Sequence, residues 1–298
     1  MWTAGSVRDF VLHALPEMAA PSLVPIPGAS ATPSLVGSPL MAHALVSPTI
    51  LVFDSGLGGL TVFCDVAKAR PDARFIYVAD DAFFPYGDKE EGELVQHIVA
   101  LMGKLILTHA PDLVVIACNT ASVQALAPLR KAYDLPFVGT VPAIKPACAA
   151  SASRRVSVLG TLATVKREYT HALIRQFGGD CVVNLVGSAR LAGFAERELA
   201  GHPVDDATLA TEIAPCFVED GTARTDTIVL ACTHYPLLAR RMQQLAPWPV
   251  RWLDPAPAIA RRVVDLVGHP TSSARHPPAL VFTTGRTAAA SRRRALPR

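Results

Sequence analysis

Short apolar runs rich in β-branched residues alternate along the chain with segments in which apolar residues recur at helical spacing. This pattern predicts alternating strands and helices. The strands are predicted at 49–53, 75–79, 113–116, 137–141, 156–159, 182–186, 227–231 and 250–253, and the clearest helices at 61–69, 90–108, 237–245 and 256–267. Strands that alternate with helices form parallel sheets with helices on both faces. The pattern therefore predicts an α/β fold.

The order of these elements repeats. A strand, a glycine-bearing turn and a helix occur at 49–69, and the same succession begins again at 156, where the turn is 160–164. Each half also contains a later strand that ends in Ala-Cys, at Cys118 and at Cys232. The repeat predicts two similar domains, each a mostly parallel sheet flanked by helices, with the active site in the cleft between them.

The two strand-end cysteines are the main candidates for chemistry. A helix is predicted to begin just after Cys118 and just after Cys232. The dipole and the free N–H groups of a helix start lower a thiol pKa from about 8.5. We therefore expect both thiols to be tuned as nucleophiles or bases, and the other cysteines (Cys64, Cys148, Cys181 and Cys216) to be packing residues.

The residues leave three kinds of chemistry open. Nucleophilic catalysis pairs a cysteine with a histidine, and His234 follows Cys232 by two positions. Disulfide redox chemistry usually places its cysteines close in sequence, but a distant pair is compatible with it. In the third kind, one thiolate removes a proton from a carbon stereocentre while the opposite thiol protonates the other face.

Two loops contribute further polar candidates. Asp54 follows the first predicted strand, at the sheet edge where α/β proteins bind ligands. The turn at 56–59 after it either brings backbone amides close to an anion or is only a tight turn. Tyr86, between Pro85 and Gly87, either anchors its loop by packing or contacts a ligand.

Composition narrows the class of protein. The formal net charge is +3, and four arginines lie at 292–294 and 298, which is more typical of a solvated end than of a nucleic-acid arm. The six cysteines show neither a CxxC pair nor zinc-ligand spacing, which favours a reducing compartment. The first 17 residues make a poor secretory signal, and no apolar run reaches 18 residues. We predict a cytoplasmic protein that binds neither nucleic acid nor membrane.

Five motifs occur in the order found in the glutamate racemase family, and the chain resembles that family over about residues 49–267. The motifs are FDSGLGGLTV at 53–62, PYGDK at 85–89, ACNTAS at 117–122, GTLAT at 160–164 and CTHYPLL at 232–238. The resemblance implies a cofactor-independent enzyme without a metal that interconverts L- and D-glutamate. In that family D-glutamate is used for peptidoglycan, and thus for the bacterial cell wall and cell shape.

The same resemblance assigns roles to individual residues. It implies that Cys118 acts on D-glutamate and Cys232 on L-glutamate, and that Asp54 and His234 assist the first and the second thiol. The implied substrate contacts are Asp54, Ser55, Pro85, Tyr86, Gly87, Asn119, Thr120, Thr161, Thr233 and His234.

The family fold also implies domain limits. The first domain is expected to comprise residues 48–142 and 255–286, because the chain returns to it at the C-terminal helix, and the second domain 143–254. Residues 1–47 are predicted to be disordered, or to precede a true start at Met41, and 287–298 to form a disordered basic tail. A homodimer and an allosteric activator remain open.

The sequence departs from the family pattern at one place that bears on mechanism. Gly187 stands where an acidic residue that supports the second thiol is expected, and Glu196 is the candidate replacement. Two alternatives follow for function. One is a racemase of aspartate or another amino acid on the same scaffold, and the other is a non-catalytic binding protein.

Overall fold

The computed structural model describes residues 22–23, 47–221, 223–272 and 274–283. Apart from 22–23 and 47, the segment predicted to be disordered at 1–47 lies outside the described residues. The predicted basic tail 287–298 also lies outside them. The domain limits inferred above therefore stay predictions.

The described chain contains ten strands. They are β1 (Ser22–Leu23), β2 (Thr49–Asp54), β3 (Arg74–Ala79), β4 (Leu113–Ile116), β5 (Phe137–Gly139), β6 (Arg155–Thr161), β7 (Val182–Ser188), β8 (Thr227–Ala231), β9 (Arg251–Leu253) and β10 (Ala279–Phe282). All eight predicted strands recur, β4 and β8 with the predicted ends and the others with ends shifted by one or two residues, whereas β1 and β10 were not predicted.

Ten α-helices connect these strands within the described residues. They are α1 (Leu60–Ala69), α2 (Glu91–His109), α3 (Asn119–Ala132), α4 (Ile144–Ala150), α5 (Leu162–Lys166), α6 (Glu168–Phe177), α7 (Leu191–Leu199), α8 (Asp206–Ile213), α9 (Ala239–Leu245) and α10 (Ala256–Val267). Short 3₁₀ turns lie at Tyr86–Asp88, Ala214–Cys216 and Tyr235–Leu238. No helix in the described part of the chain is both long and apolar enough to cross a membrane.

The strands form two parallel sheets, which confirms the predicted α/β class with two similar units. The first sheet has the order β1-β10-β3-β2-β4-β5 and the second β7-β6-β8-β9. Each sheet has apolar clusters on both faces. The central strands are completely buried, as their continuous apolar sequences require.

Strand register sets the position of the thiols. In the first sheet β2 lies beside β4, with Phe53 opposite Ile116, so Asp54 and Cys118 leave the same sheet edge. In the second sheet β6 lies beside β8, with Gly160 opposite Ala231, so Thr161 and Cys232 leave a common edge. Residues that follow the carboxyl ends of both central strand pairs therefore form the candidate site.

Candidate active site

Cys118 lies two residues after the end of β4 and caps the N-terminus of helix α3. Its Sγ accepts a hydrogen bond from the backbone N–H of Ala121 at 3.5 Å, and its thiol donates to Oγ of Ser55 at 3.7 Å. The side chain is buried. The sequence prediction that the first thiol lies at a helix start is therefore correct.

The expected effect of that helix start on the thiol pKa is wrong for Cys118. Burial and, to a smaller extent, the nearby Asp54 carboxylate raise the pKa of Cys118 to about 12, while the hydrogen bonds with Ala121 and Ser55 oppose the change. Removal of a thiolate from water outweighs one helix end. Cys118 is therefore expected to be a protonated thiol at neutral pH.

Cys232 occupies a different local structure. No α-helix begins directly after it, because His234 precedes the 3₁₀ turn Tyr235–Leu238 and α9 starts only at Ala239. The second thiol thus lacks the α-helix start that the sequence predicted. Its polar partner is Nδ1 of His234, 3.9 Å from the sulfur.

His234 links the second thiol to an acid. Its Nε2 lies 2.7 Å from Oε1 of Glu196, which comes from helix α7. Burial opposes a charge on the ring, but the hydrogen bonds to Cys232 and Glu196 raise the pKa of His234 well above its usual value. The arrangement Cys232, His234, Glu196 is suited to hold a thiolate beside an imidazolium.

The expectation that Gly187 removes the supporting acid is corrected by this contact. Gly187 lies on β7, and a Cβ there would come within 2.7 Å of Val165 and 3.0 Å of Leu162, so this position faces helix α5 rather than His234. Glu196 instead supplies the carboxylate that forms a hydrogen bond with the His234 imidazole. Support for the second thiol is therefore present.

Asp54 is a buried carboxylate shared between the two sheets. It accepts hydrogen bonds from the Gly56 N–H at 3.0 Å and, across the cleft, from the Thr233 hydroxyl at 3.1 Å. Burial raises the pKa of Asp54, while the charge of His234 lowers it. Asp54 therefore lies next to both halves of the site.

The glycines in the turn after β2 allow its backbone to lie close to side chains of the second domain. A Cβ at Gly58 would lie 2.4 Å from Nδ1 of His234, and one at Gly56 would lie 2.9 Å from Oε1 of Glu196. The N–H of Leu57 donates to the same Glu196 oxygen at 3.2 Å. The anion that this turn contacts is thus a side chain of the protein itself.

Almost all of the predicted site residues line one cavity. Its lining comprises Ser55, Phe84, Pro85, Tyr86, Gly87, Cys118, Asn119, Thr120, Thr161, Ala192, Cys232, Thr233 and His234. Of the predicted residues, only Asp54 lies behind this wall, where it contacts Thr233. Phe84 and Ala192 were not predicted, because an apolar residue in a loop or helix carries no local signal for a site.

Asn119 indicates that the cavity binds a polar molecule. Neither the amide nitrogen nor the amide oxygen of its buried side chain has a hydrogen-bond partner among the described residues. Buried amides are normally paired. The Asn119 amide, beside the Thr120 and Thr161 hydroxyls, is therefore available to a polar ligand.

The cavity is small. Its volume is about 20 Å³, which is roughly the space of one water molecule. The Thr120 and Thr161 hydroxyls meet across the cleft at 3.1 Å, and Arg167 pairs with Glu91 across the same cleft. The described residues contain no group of three or more His, Cys, Asp or Glu side chains arranged to hold a metal ion.

Fold and site together define a two-domain α/β protein in which each domain contributes one thiol to a shared cleft. The sequence matches the Asp/Glu/Hydantoin racemase family over residues 65–263. The chain belongs to this family. It is 56% identical to the glutamate racemase of Brucella anthropi over 228 residues, which are 76% of this chain and 82% of that protein.

Solved structures show the same relationship. The Escherichia coli glutamate racemase in complex with L-glutamate and the activator UDP-MurNAc-Ala superposes with a TM-score of 0.74 at 39% identity, covering 82% of this chain and 92% of that chain. The Thermus thermophilus glutamate racemase in complex with β-chloro-D-alanine gives a TM-score of 0.64 at 28% identity, covering 84% and 94% of the two chains.

Proposed function

We propose that this protein is a glutamate racemase that moves protons with two thiols. The observation that carries the proposal is that Cys118 and Cys232, at the ends of equivalent strands in the two sheets, line one cavity. A single nucleophilic cysteine needs no such partner. Inversion at a carbon centre needs a base on one face and an acid on the other.

The cavity wall suits an amino-acid dicarboxylate. The substrate ammonium needs acceptors, which the Ser55 hydroxyl and the Asn119 amide oxygen supply, and its positive charge favours thiolate formation nearby. Its carboxylates need donors, which the Thr120 hydroxyl and the Asn119 amide nitrogen supply.

In the direction from L- to D-glutamate, the Cys232 thiolate removes the Cα proton. The imidazolium of His234, held by Glu196, stabilises that thiolate before the transfer. The Cys118 thiol then gives its proton to the opposite face of Cα, which leaves Cys118 as the thiolate and Cys232 as the thiol. The reverse direction begins from this state.

Negative charge develops on the substrate carboxylate as the Cα proton leaves. Fixed donors aimed at this group stabilise the charge, and one such donor contributes roughly 3–4 kcal/mol in comparable sites. The cavity is small and most of its lining side chains are buried, and such surroundings of low dielectric constant strengthen these hydrogen bonds.

Incubation with L-glutamate in D₂O tests the proposal directly. We expect D-glutamate that carries deuterium at Cα, because the proton delivered by Cys118 comes from exchanged solvent. Absence of both product and exchange would refute the function. Faster turnover of L-aspartate than of L-glutamate in a substrate panel would show that aspartate is the preferred substrate.

Single-cysteine variants test the assignment of residues. We expect Cys118→Ser and Cys232→Ser each to abolish racemisation, and the control Cys216→Ser to retain it, because Cys216 lies in the core of the second domain. Full activity in the Cys118→Ser, Cys232→Ser double variant would contradict the mechanism.

The cellular role follows from the product. We propose that the enzyme supplies D-glutamate for peptidoglycan, as the family resemblance implies. All six cysteines are free thiols, which fits a reducing compartment. We therefore propose a cytoplasmic location.

A further inference from the structure

Behind the substrate cavity lies a buried carboxylate that the proton transfers do not use. Asp80 follows β3 and is fully buried. Its Oδ2 accepts hydrogen bonds from the Tyr86 hydroxyl at 2.5 Å and from Nε2 of His97 at 2.6 Å. Its Oδ1 accepts a hydrogen bond from the Thr283 hydroxyl at 2.7 Å. Three side-chain donors therefore converge on one carboxylate.

These donors come from three separate parts of the first sheet unit. Tyr86 lies on the loop that follows β3, and His97 lies on helix α2. Thr283 directly follows β10, the strand that pairs with β3. Asp80 thus fixes the loop to a helix and to the C-terminal strand at once.

The ring of His97 is itself held in place. Phe83 stacks on it with the ring centroids 4.1 Å apart and the planes 14° from parallel. The ammonium of Lys89 lies 4.6 Å from the Phe83 ring centroid. His97 therefore presents Nε2 to Asp80 from a fixed orientation.

Tyr86 connects this group to the cavity. Burial and the adjacent Asp80 raise the pKa of Tyr86 well above its usual value, so its hydroxyl stays protonated and donates. The same residue lines the cavity together with Pro85 and Gly87. The position of the Tyr86 ring thus sets one wall of the substrate site.

We propose that Asp80, His97 and Thr283 are positioning residues that hold the cavity wall at 85–87 and thereby set the affinity for the amino-acid substrate. None of the three lines the cavity, so they act through Tyr86. The inference rests on the proposed function and deepens it, because it names residues outside the cavity that determine substrate binding.

The chemistry of the group explains why a carboxylate is needed. A carboxylate accepts at both oxygens, whereas an amide has one accepting oxygen and one donating nitrogen. In Asp80→Asn, the amide nitrogen would face either Thr283 or the pair Tyr86 and His97. At least one buried donor would lose its acceptor, and the Tyr86 ring would shift.

Paired variants separate the loss of a hydrogen bond from the loss of packing. Thr283→Val removes the hydroxyl donor, and Thr283→Ser retains it. His97→Leu removes the ring donor, whereas His97→Gln retains an N–H donor. Asp88→Asn is the matched control for Asp80→Asn, since Asp88 lies on the same loop and is exposed.

We expect Thr283→Val, His97→Leu and Asp80→Asn to raise KM for glutamate about tenfold, with kcat within about twofold, because each loses a hydrogen bond to a charged group. Thr283→Ser, His97→Gln and Asp88→Asn should remain close to the wild type. If Asp80→Asn fails to fold, the Thr283 and His97 pairs still decide the question.

Unchanged KM in both Thr283→Val and His97→Leu would overturn the inference. A loss of kcat at constant KM, equal in the retaining and the removing variant of each pair, would also overturn it, because it would indicate a purely structural role. Calorimetric binding of D-glutamate separates this failure from that of the proposed function. A wild-type protein that binds but does not racemise glutamate refutes the function, while Kd still tests the positioning group.

Discussion

At the scale of single residues, the two thiols differ in how their protons are controlled. Cys118 is held as a thiol by burial and by the charge of Asp54. Cys232 has beside it the imidazole of His234, whose pKa is raised by hydrogen bonds to Cys232 and Glu196. Removal of the Glu196 charge should therefore lower kcat by different factors with L-glutamate and with D-glutamate.

For Glu196→Gln, we expect kcat with L-glutamate to fall about 10- to 100-fold, because a hydrogen bond between charged groups contributes about 1.5–3 kcal/mol. The pKa of His234 should fall, since the carboxylate that raises it is gone. The alkaline limb of the pH profile should then move to lower pH. Initial rates in both directions across pH measure this effect.

The control is Glu198→Gln on the same helix, whose carboxylate pairs with Arg241 instead of the site. It should leave the pH profile unchanged. An unchanged alkaline limb in Glu196→Gln would show that the imidazolium does not assist Cys232.

Gly58 provides a steric test of the same contact. A Cβ there would lie 2.4 Å from Nδ1 and 2.7 Å from the backbone nitrogen of His234, and the backbone atom cannot move away cheaply. We expect Gly58→Ala to lower kcat by about 100-fold, equivalent to roughly 3 kcal/mol in the barrier, through displacement of His234.

The matched control is Gly193→Ala, because a Cβ at Gly193 meets no atom within 4 Å. Gly193 lies within helix α7, so alanine should stabilise the fold by about 0.5–1 kcal/mol and leave kcat unchanged. Equal activity of Gly58→Ala and Gly193→Ala would exclude a tight contact between the glycine turn and His234.

The residue scale also shows what could be predicted from sequence. Cys118, Cys232 and Asp54 end buried apolar strands, and this local pattern locates them. Glu196 lies inside an amphipathic helix, 38 residues before His234. Glu196 was named only as the candidate replacement for the acid missing at position 187, because the packing of α7 against the His234 segment, which brings the two residues together, has no local signal in the sequence.

At the scale of elements, a buried ion pair ties the end of α1 to the end of α10. The Arg70 side chain forms two hydrogen bonds to Asp72, at 2.9 and 3.1 Å, and its Nη1 donates to the carbonyl oxygens of Val267 and Gly268 at 2.8 Å. Both side chains are fully buried. The pair thus fixes the helix that follows the second sheet onto the first.

We expect Asp72→Asn to reduce the free energy of unfolding by about 3–5 kcal/mol, the usual cost of breaking a buried ion pair by removing one partner. Burial opposes ionisation of Asp72, but Arg70 holds the Asp72 pKa below its usual value. The stabilisation is therefore present above the unfolded-state pKa and is lost as the pH falls through the folded-state pKa. Denaturant titrations at neutral and acid pH measure it.

Asp134→Asn, an exposed substitution, is the control and should change stability by less than about 0.5 kcal/mol. If Asp72→Asn proved as stable as the wild type at neutral pH, the contact between α1 and α10 would depend on apolar packing alone.

Element prediction failed where the sequence signal was short. The apolar run of β10 has four residues and follows a segment rich in proline and polar residues, so no period is established. Its place beside β3 depends on a pairing across about 200 residues. Such a pairing cannot be derived from local pattern, and the Thr283 contact to Asp80 was therefore missed as well.

At the scale of the whole molecule, the two sheet units enclose a cavity of about 20 Å³, too small for glutamate. Contacts across the cleft include the Thr233 hydroxyl on Asp54, the Leu57 N–H on Glu196 and the Thr120–Thr161 pair. We therefore expect substrate to enter through a more open state, and a ligand that bridges both units to favour closure.

Small-angle X-ray scattering tests this expectation with the Cys118→Ser, Cys232→Ser double variant, which should bind glutamate without turnover. We expect saturating D-glutamate to lower the radius of gyration, because the free protein samples the open form. Arg167→Gln, which removes the ion pair with Glu91 across the cleft, should raise the radius of gyration of the free protein and shift the ligand titration to higher concentration. The shift should be a fewfold at most, since exposed ion pairs contribute about 0–1 kcal/mol. An identical radius of gyration with and without bound ligand would mean that glutamate enters by local movement of the 85–87 loop instead of by separation of the two units.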